Sequence, residues 1–249
     1  MIADPLFYLV AIPAVIIFGL AKGGFSGVGV LGVPLMALVI SPVQAASIVL
    51  PILIVQDVVS VWAFRRNWDG RTLAFMIPGA AVGILLGYLF AALISIAMVE
   101  MAVGVTSIGF AAWQLWIRRH ALPPAPGPIT WVASIFGLAS GFTSQISHAG
   151  GPPFQMYLLP KQLPRDVFIG TSAIYFAVIN WLKVPAYAAL GQLGPENLWT
   201  AAVLLPIAIA STWAGVILIR RVAVDRFYTL IYGLLLLVGA RLVYAGLAS

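Results

Sequence analysis

Apolar residues run along the chain in ten stretches, at about 6–21, 30–40, 43–64, 72–94, 97–117, 129–140, 152–160, 166–190, 197–219 and 224–245. Six of them reach the ~20 residues that a helix needs to cross a hydrocarbon core about 30 Å thick. Four fall short: 6–21, 30–40, 129–140 and 152–160. The short stretches form two pairs, each interrupted by small and polar residues. The first interruption is Lys22-Gly23-Gly24-Phe25-Ser26-Gly27-Val28-Gly29. The second runs from Ser140 through Gly141, Phe142, Thr143, Ser144, Gln145, Ile146, Ser147, His148 and Ala149 to Gly150 and Gly151.

The pairs occupy matching places in two halves. Gly19-Leu-Ala-Lys-Gly23 reads against Gly137-Leu-Ala-Ser-Gly141, and Gly32-Val-Pro34 against Gly151-Pro-Pro153. Pro78 and Gly87 repeat as Pro206 and Gly215 with the same separation. The pattern predicts a duplication: a first repeat over 1–120, a Pro-rich linker over 121–128 and a second repeat over 129–249.

Composition limits what such a chain can be. Of 249 residues 62% are hydrophobic and 8% charged, against about 25% charged in soluble domains. A water-soluble enzyme could not cover its surface with so few charges, and a disordered chain would not hold so much apolar material. There are no cysteines, which removes disulfides, thiolate metal sites and Cys nucleophiles. Asp4 precedes the first apolar run and Lys22 is the first lysine, so that run lacks the basic start of a signal peptide. It reads as part of the working protein.

The net charge of +6, from 13 Lys+Arg against 7 Asp+Glu, sits in clusters between apolar runs. That is the habit of cytoplasmic membrane loops, not of a nucleic-acid surface. If both broken pairs span, Arg65, Arg66, Arg71, Arg118 and Arg119 fall on one side. Lys161, Arg165, Arg220, Arg221 and Arg226 then fall on the other, and five against five gives no orientation. If 129–160 enters and leaves on one side, all ten share a face, which the positive-inside rule makes cytoplasmic and which puts the C-terminus outside the cell. Charge does not decide the 6–40 pair, but the repeat suggests the same behaviour. The expected fold is an all-α integral membrane protein of two inverted repeats, each a broken, re-entrant helix pair plus three transmembrane helices.

Irregular backbone at membrane depth must be buried in protein or line a wet cavity. Glycine-rich breaks bring helix ends, free N–H groups and hydroxyls to such a place, an arrangement suited to anions and recurrent in secondary transporters. The candidate substrate-binding residues are Lys22, Gly23, Gly24, Phe25, Ser26 and Gly27 in the first break, and Gly141, Thr143, Ser144, Gln145, His148, Gly150 and Gly151 in the second. Charged residues inside membrane segments are rare and usually functional. Lys22 could attract an anion, or could cap the end of 6–21 and pair with a carboxylate. Asp57, beside Gln56, could carry a coupling proton, or could be a fixed partner of Lys22 or Lys183. Lys183 shares a helix face with Asn180 and Tyr187, and neutralising Asp57 is its favoured role. His148 could donate to an oxyanion or titrate; the plainer alternative is that it satisfies loop carbonyls. His120 is too distant in sequence to join it in a metal site. Trp62, Trp68, Trp113, Trp116, Trp131 and Trp199 read as an interfacial belt, and Gly83-x-x-x-Gly87 as close helix packing.

The segments Gly19-Leu-Ala-Lys-Gly-Gly-Phe-Ser-Gly27, Gly137-Leu-Ala-Ser-Gly-Phe-Thr-Ser144 and Gly150-Gly-Pro-Pro153 resemble the TauE/SafE-type sulfite exporters, also called sulfite and organosulfonate permeases. The resemblance covers nearly the whole chain. It implies a non-enzymatic, multi-pass inner-membrane carrier of small sulfur-containing anions such as sulfite or organosulfonates, with no cofactor. Protons are the candidate coupling ion, and a homodimer is one open assembly. A channel or uncoupled facilitator of the same fold is the alternative.

Overall fold

The computed structural model describes residues 4–91, 95–120, 130–219 and 225–248, together with 2, 93 and 221; of 225–227 it describes the backbone. The linker 121–128 and Arg220 lie outside the described residues, as does the side chain of Arg226. Among the described residues all regular structure is helical: α1 (Pro5–Lys22), α2 (Gly32–Met36), α3 (Pro42–Phe64), α4 (Gly70–Ala91), α5 (Ile96–Ile117), α6 (Thr130–Ser147), α7 (Gly151–Leu158), α8 (Arg165–Ala189), α9 (Pro195–Leu218) and α10 (Asp225–Ala248). A 3-10 turn, Val28–Leu31, leads into α2, and another, Leu159–Lys161, follows α7.

Seven of these helices are long and apolar enough to cross a membrane. The seventh, beyond the six long stretches, is α1, which the apolar pattern alone had as too short. Asp4 caps it by accepting from the Leu6 amide at 2.9 Å, and Pro5 takes its first position. The helix then runs through Lys22, and its 18 residues measure about 27 Å. A larger correction concerns α6. The residues from Ser140 to Ser147 continue the helix, so the second break shrinks to His148–Gly150. Two of their hydroxyls fold back on the preceding turn: Thr143 donates to the Ala139 carbonyl at 2.8 Å and Ser147 to that of Thr143 at 3.4 Å. Such back-bonding lets polar residues sit in a buried helix.

Small residues set the packing. A Cβ added at Gly83 would lie 2.1 Å from the Leu138 carbonyl oxygen, and one at Gly141 would lie 2.1 Å from that of Ala80. Hence α4 and α6 touch backbone to backbone. Helix α1 meets α9 in the same way at Gly23 and Gly215. The principal pairings are α4 with α6, α1 with α9, α3 with α9, α8 with α4, α5 with α10 and α3 with α8. Exchanging each helix for the one five places along maps this set onto itself. Leu9, Leu89, Leu237 and Leu247 face outward, the reverse of a soluble protein.

Both broken pairs double back. Gly29 lies against Ala21 and Gly32 against Phe18, so 28–36 returns along α1, and Val39 and Ile40 end beside the cluster that holds Phe7. In the second pair the Tyr157 ring of α7 lies 6.0 Å from that of Phe136 in α6. Lys161 then reaches Asp69 at 3.3 Å and Thr72 at 2.5 Å. Asp69 accepts from the Thr72 amide and hydroxyl at the start of α4, while its own amide donates to Thr171. Arg165 donates to the Ile219 carbonyl. The loops after α3, α7 and α9 therefore meet at one end of the bundle, with Arg65, Arg66, Lys161 and Arg221 on them and Arg71 and Arg165 at the adjoining starts of α4 and α8.

Candidate functional site

The two breaks meet beside α3 and α8. In the first, Gly24 and Gly27 have φ of 130° and 95°, a region closed to most L-residues. Gly27 has a second reason to be glycine: a Cβ there would lie 2.9 Å from the Tyr232 hydroxyl and 3.0 Å from Gln155 Nε2. In the second break His148 takes φ 54°. That conformation is uncommon outside glycine. Here the ring is held on both sides, with Nε2 2.9 Å from the Ala46 carbonyl and Nδ1 2.6 Å from Lys183 Nζ.

Between the breaks lies a cavity of about 90 Å³, room for a few water molecules or an anion of similar bulk. Lys22, Ser26, Gly27, Ser144, His148 and Gly151 of the candidate set line it, with Asn180. Ser60, Ser172, Gln155, Phe154 and Phe176 also line it and were not singled out from sequence. Gln155 is held by Gln114, whose Nε2 donates to its Oε1 at 2.7 Å. The only signal for this pair was an uncharged amide inside each of two apolar stretches.

Lys22 ends α1 and forms an ion pair with Asp57 of α3. It also lies 5.2 Å over the Phe176 ring, and its carbonyl accepts from Ser60 at 2.7 Å. Asn180 donates to the second Asp57 oxygen at 2.6 Å, so both carboxylate oxygens are engaged. Lys183, expected to neutralise Asp57, bonds elsewhere: to His148, to Ser144 Oγ at 3.1 Å and to the Ser144 carbonyl at 3.3 Å. It lies one helical turn beyond Asn180 and so faces the second break.

Other candidates stand away from the cavity. Gly141 packs on α4, Thr143 is bonded within its own helix, and Phe25 is in the core. Gly23 and Gly24 are packing positions against α9 and against Ile169 and Ile219. The Gly150 carbonyl accepts from Ser140 at 2.7 Å. Gln56 bridges the Val15 and Ala208 carbonyls at 3.4 Å each, tying α1 to α9. Gln145 lines a second hollow beyond His148. The start of α7 offers fewer donors than a helix terminus usually does, because Pro152 and Pro153 carry no N–H.

His148 and Lys22 are anchored on α3 at different points, Ala46 and Asp57, but the breaks themselves abut. A Cβ added at Gly151 would lie 3.5 Å from Val30, and one at Gly27 would lie against Gln155. The site is therefore a cavity between two touching breaks, with Lys22, Ser26 and Ser144 on its wall.

The family model for sulfite exporters of the TauE/SafE type matches residues 11–242. No curated protein and no solved structure matches the chain.

Proposed function

The chain belongs to the TauE/SafE sulfite exporter family, whose members are membrane transporters and not enzymes, and we propose that the cavity between its two breaks is the transport site for a small sulfur oxyanion. The observation that carries this reading is the charge around the cavity. Two lysines, Lys22 and Lys183, stand beside it with one carboxylate, Asp57. An anion between Lys22, Ser26, Ser144 and His148 would balance that excess in a place too dry to leave it unbalanced. Hydroxyl donors suit an oxyanion better than a spherical ion.

The self-mapping set of helix pairings supports two related halves, with the broken pairs re-entrant and the basic loops cytoplasmic. The C-terminus is then extracytoplasmic. Transport proceeds by alternating access around the cavity, with the proton as coupling ion. A carrier is favoured over a channel because His148, held by Ala46 and Lys183, separates the cavity from the hollow beyond it.

The test is flux of labelled sulfite into proteoliposomes, competed by thiosulfate and small sulfonates. Saturable, competed flux is expected. Flux proportional to concentration throughout would make the protein a channel, and no flux in folded protein would remove the substrate assignment.

A further inference from the structure

Lys183 is wholly buried. Its bonding partners are the imidazole Nδ1 at 2.6 Å and the two oxygens of Ser144, all of them neutral acceptors. The formal charges that act on it are Lys22, which repels it, and Asp57, which attracts it. Asp57 is already matched by Lys22 and Asn180. A buried ammonium without its own counter-ion is costly, and an anion close by offsets that cost. Ser144 and His148, which touch Lys183, also line the cavity. The charge that Lys183 can sustain therefore differs between the empty and the loaded site.

Ala46, which His148 Nε2 contacts, lines the second hollow with Tyr187, Val43, Gln145 and Gln192; its volume is about 130 Å³. The Tyr187 hydroxyl lies 3.4 Å from His148 Nε2. With Nδ1 accepting from Lys183, Nε2 carries the hydrogen and donates to the Ala46 carbonyl. One side chain thus touches the buried ammonium with one nitrogen and the rim of the second hollow with the other.

We propose that Lys183 and His148 are the proton carrier of this transporter, with Lys183 protonated as an anion enters beside Ser144 and deprotonated through His148 as it leaves. This rests on the cavity being the transport site. On loading, a hydronium ion that enters the cavity with the anion gives its proton through the Ser144 hydroxyl to Lys183, whose amine gains a third N–H bond, and water is left behind. On release that bond breaks, His148 Nδ1 takes the proton, and Nε2 passes one to water in the second hollow, exchange with that water restoring the starting tautomer. One proton travels with each monoanion. The charged and titratable groups around the pair are Lys22 of α1, Asp57 of α3 and Tyr187 of α8. The first two form a closed ion pair, which removes Asp57 from the coupling role open to it in the sequence.

The experiment measures binding of ethanesulfonate, which does not itself titrate near neutrality, to purified protein from pH 6 to 9, with proton uptake followed by a pH dye. The wild type is expected to lose affinity about tenfold per pH unit in the alkaline range, as one linked proton requires. Lys183→Arg, permanently charged, is expected to bind with that slope abolished. His148→Asn is expected to keep the slope and slow transport. A flat wild-type profile, or an unchanged slope in folded Lys183→Arg, overturns the proposal. Chloride or nitrate bound with the slope, in place of the sulfonate, would keep the proton carrier and remove the sulfur-anion reading. Folded protein that binds none of the three anions would end both.

Discussion

A Cβ placed on Gly23 would stand 2.5 Å from the Cα of Gly215. The end of α1 and the last turn of α9 are therefore in backbone contact where the chain leaves α1 for the first break. Gly23→Val must push the two helices apart, at a cost of about 1–3 kcal/mol or more. A clear fall in melting temperature in detergent is expected. Gly233→Ala, in α10 with nothing within 4 Å of the added carbon, should be neutral or gain up to about 1 kcal/mol from helix propensity. Equal melting of both variants would contradict the contact.

Gly151 lines the cavity, and the nearest atom to an added Cβ is Val30 Cγ2 at 3.5 Å. Gly151→Ala should fold normally and transport with reduced capacity, whereas Gly151→Ile should fold yet block flux. Monodisperse Gly151→Ile protein with wild-type flux would place the substrate path elsewhere.

Removing one partner of a buried ion pair leaves the other charge stranded, typically at 3–5 kcal/mol. Asp57→Asn should therefore be strongly destabilised. Lys22→Met combined with Asp57→Leu should recover much of the loss in melting temperature without recovering transport. Additive losses in the double variant would argue against direct pairing.

At the basic end, partial burial raises the Asp69 carboxyl, but the Thr72 hydroxyl and amide and the Lys161 ammonium together hold it below its ordinary value. The folded value is depressed, so the contribution of Asp69 is present above about pH 4 and is lost as pH falls through the folded value. Asp69→Ala should cost about 1 kcal/mol at neutral pH as a lost helix cap. That difference should shrink below pH 4 in melting curves of the two proteins.

The absence of cysteine gives a clean background for topology. Asn67→Cys and Gln162→Cys should react with an impermeant maleimide from the cytoplasmic side alone, and Gln192→Cys from the outside alone. Reaction of Gln162→Cys from the outside would rule out a re-entrant second pair.

The long helices were legible because a 20-residue apolar run has few other ways to fold. So was the prospect that Lys22 caps α1 and pairs with a carboxylate. The extent of the second break was not. From Ser140 to Ser147 small and polar residues look like a loop in one dimension, but they serve two helical purposes. Gly141 lets α4 approach, and the hydroxyls bond back along their own helix. Lys183 was legible only in part: it shares the face of Asn180 and is attracted by Asp57, but its hydrogen bonds go to Ser144 and His148, whose position is set by those extra two turns of α6. Gln114 and Gln155 went unread because nothing in a single chain pairs residues on α5 and α7.

The contact between the breaks ties them to a helix that lies outside the cavity wall. Gly27 of the first break stands against Gln155 of α7, and Gln155 accepts from Gln114 of α5, while no residue of α5 lines the cavity. A displacement of α5 therefore reaches both broken pairs through one side chain.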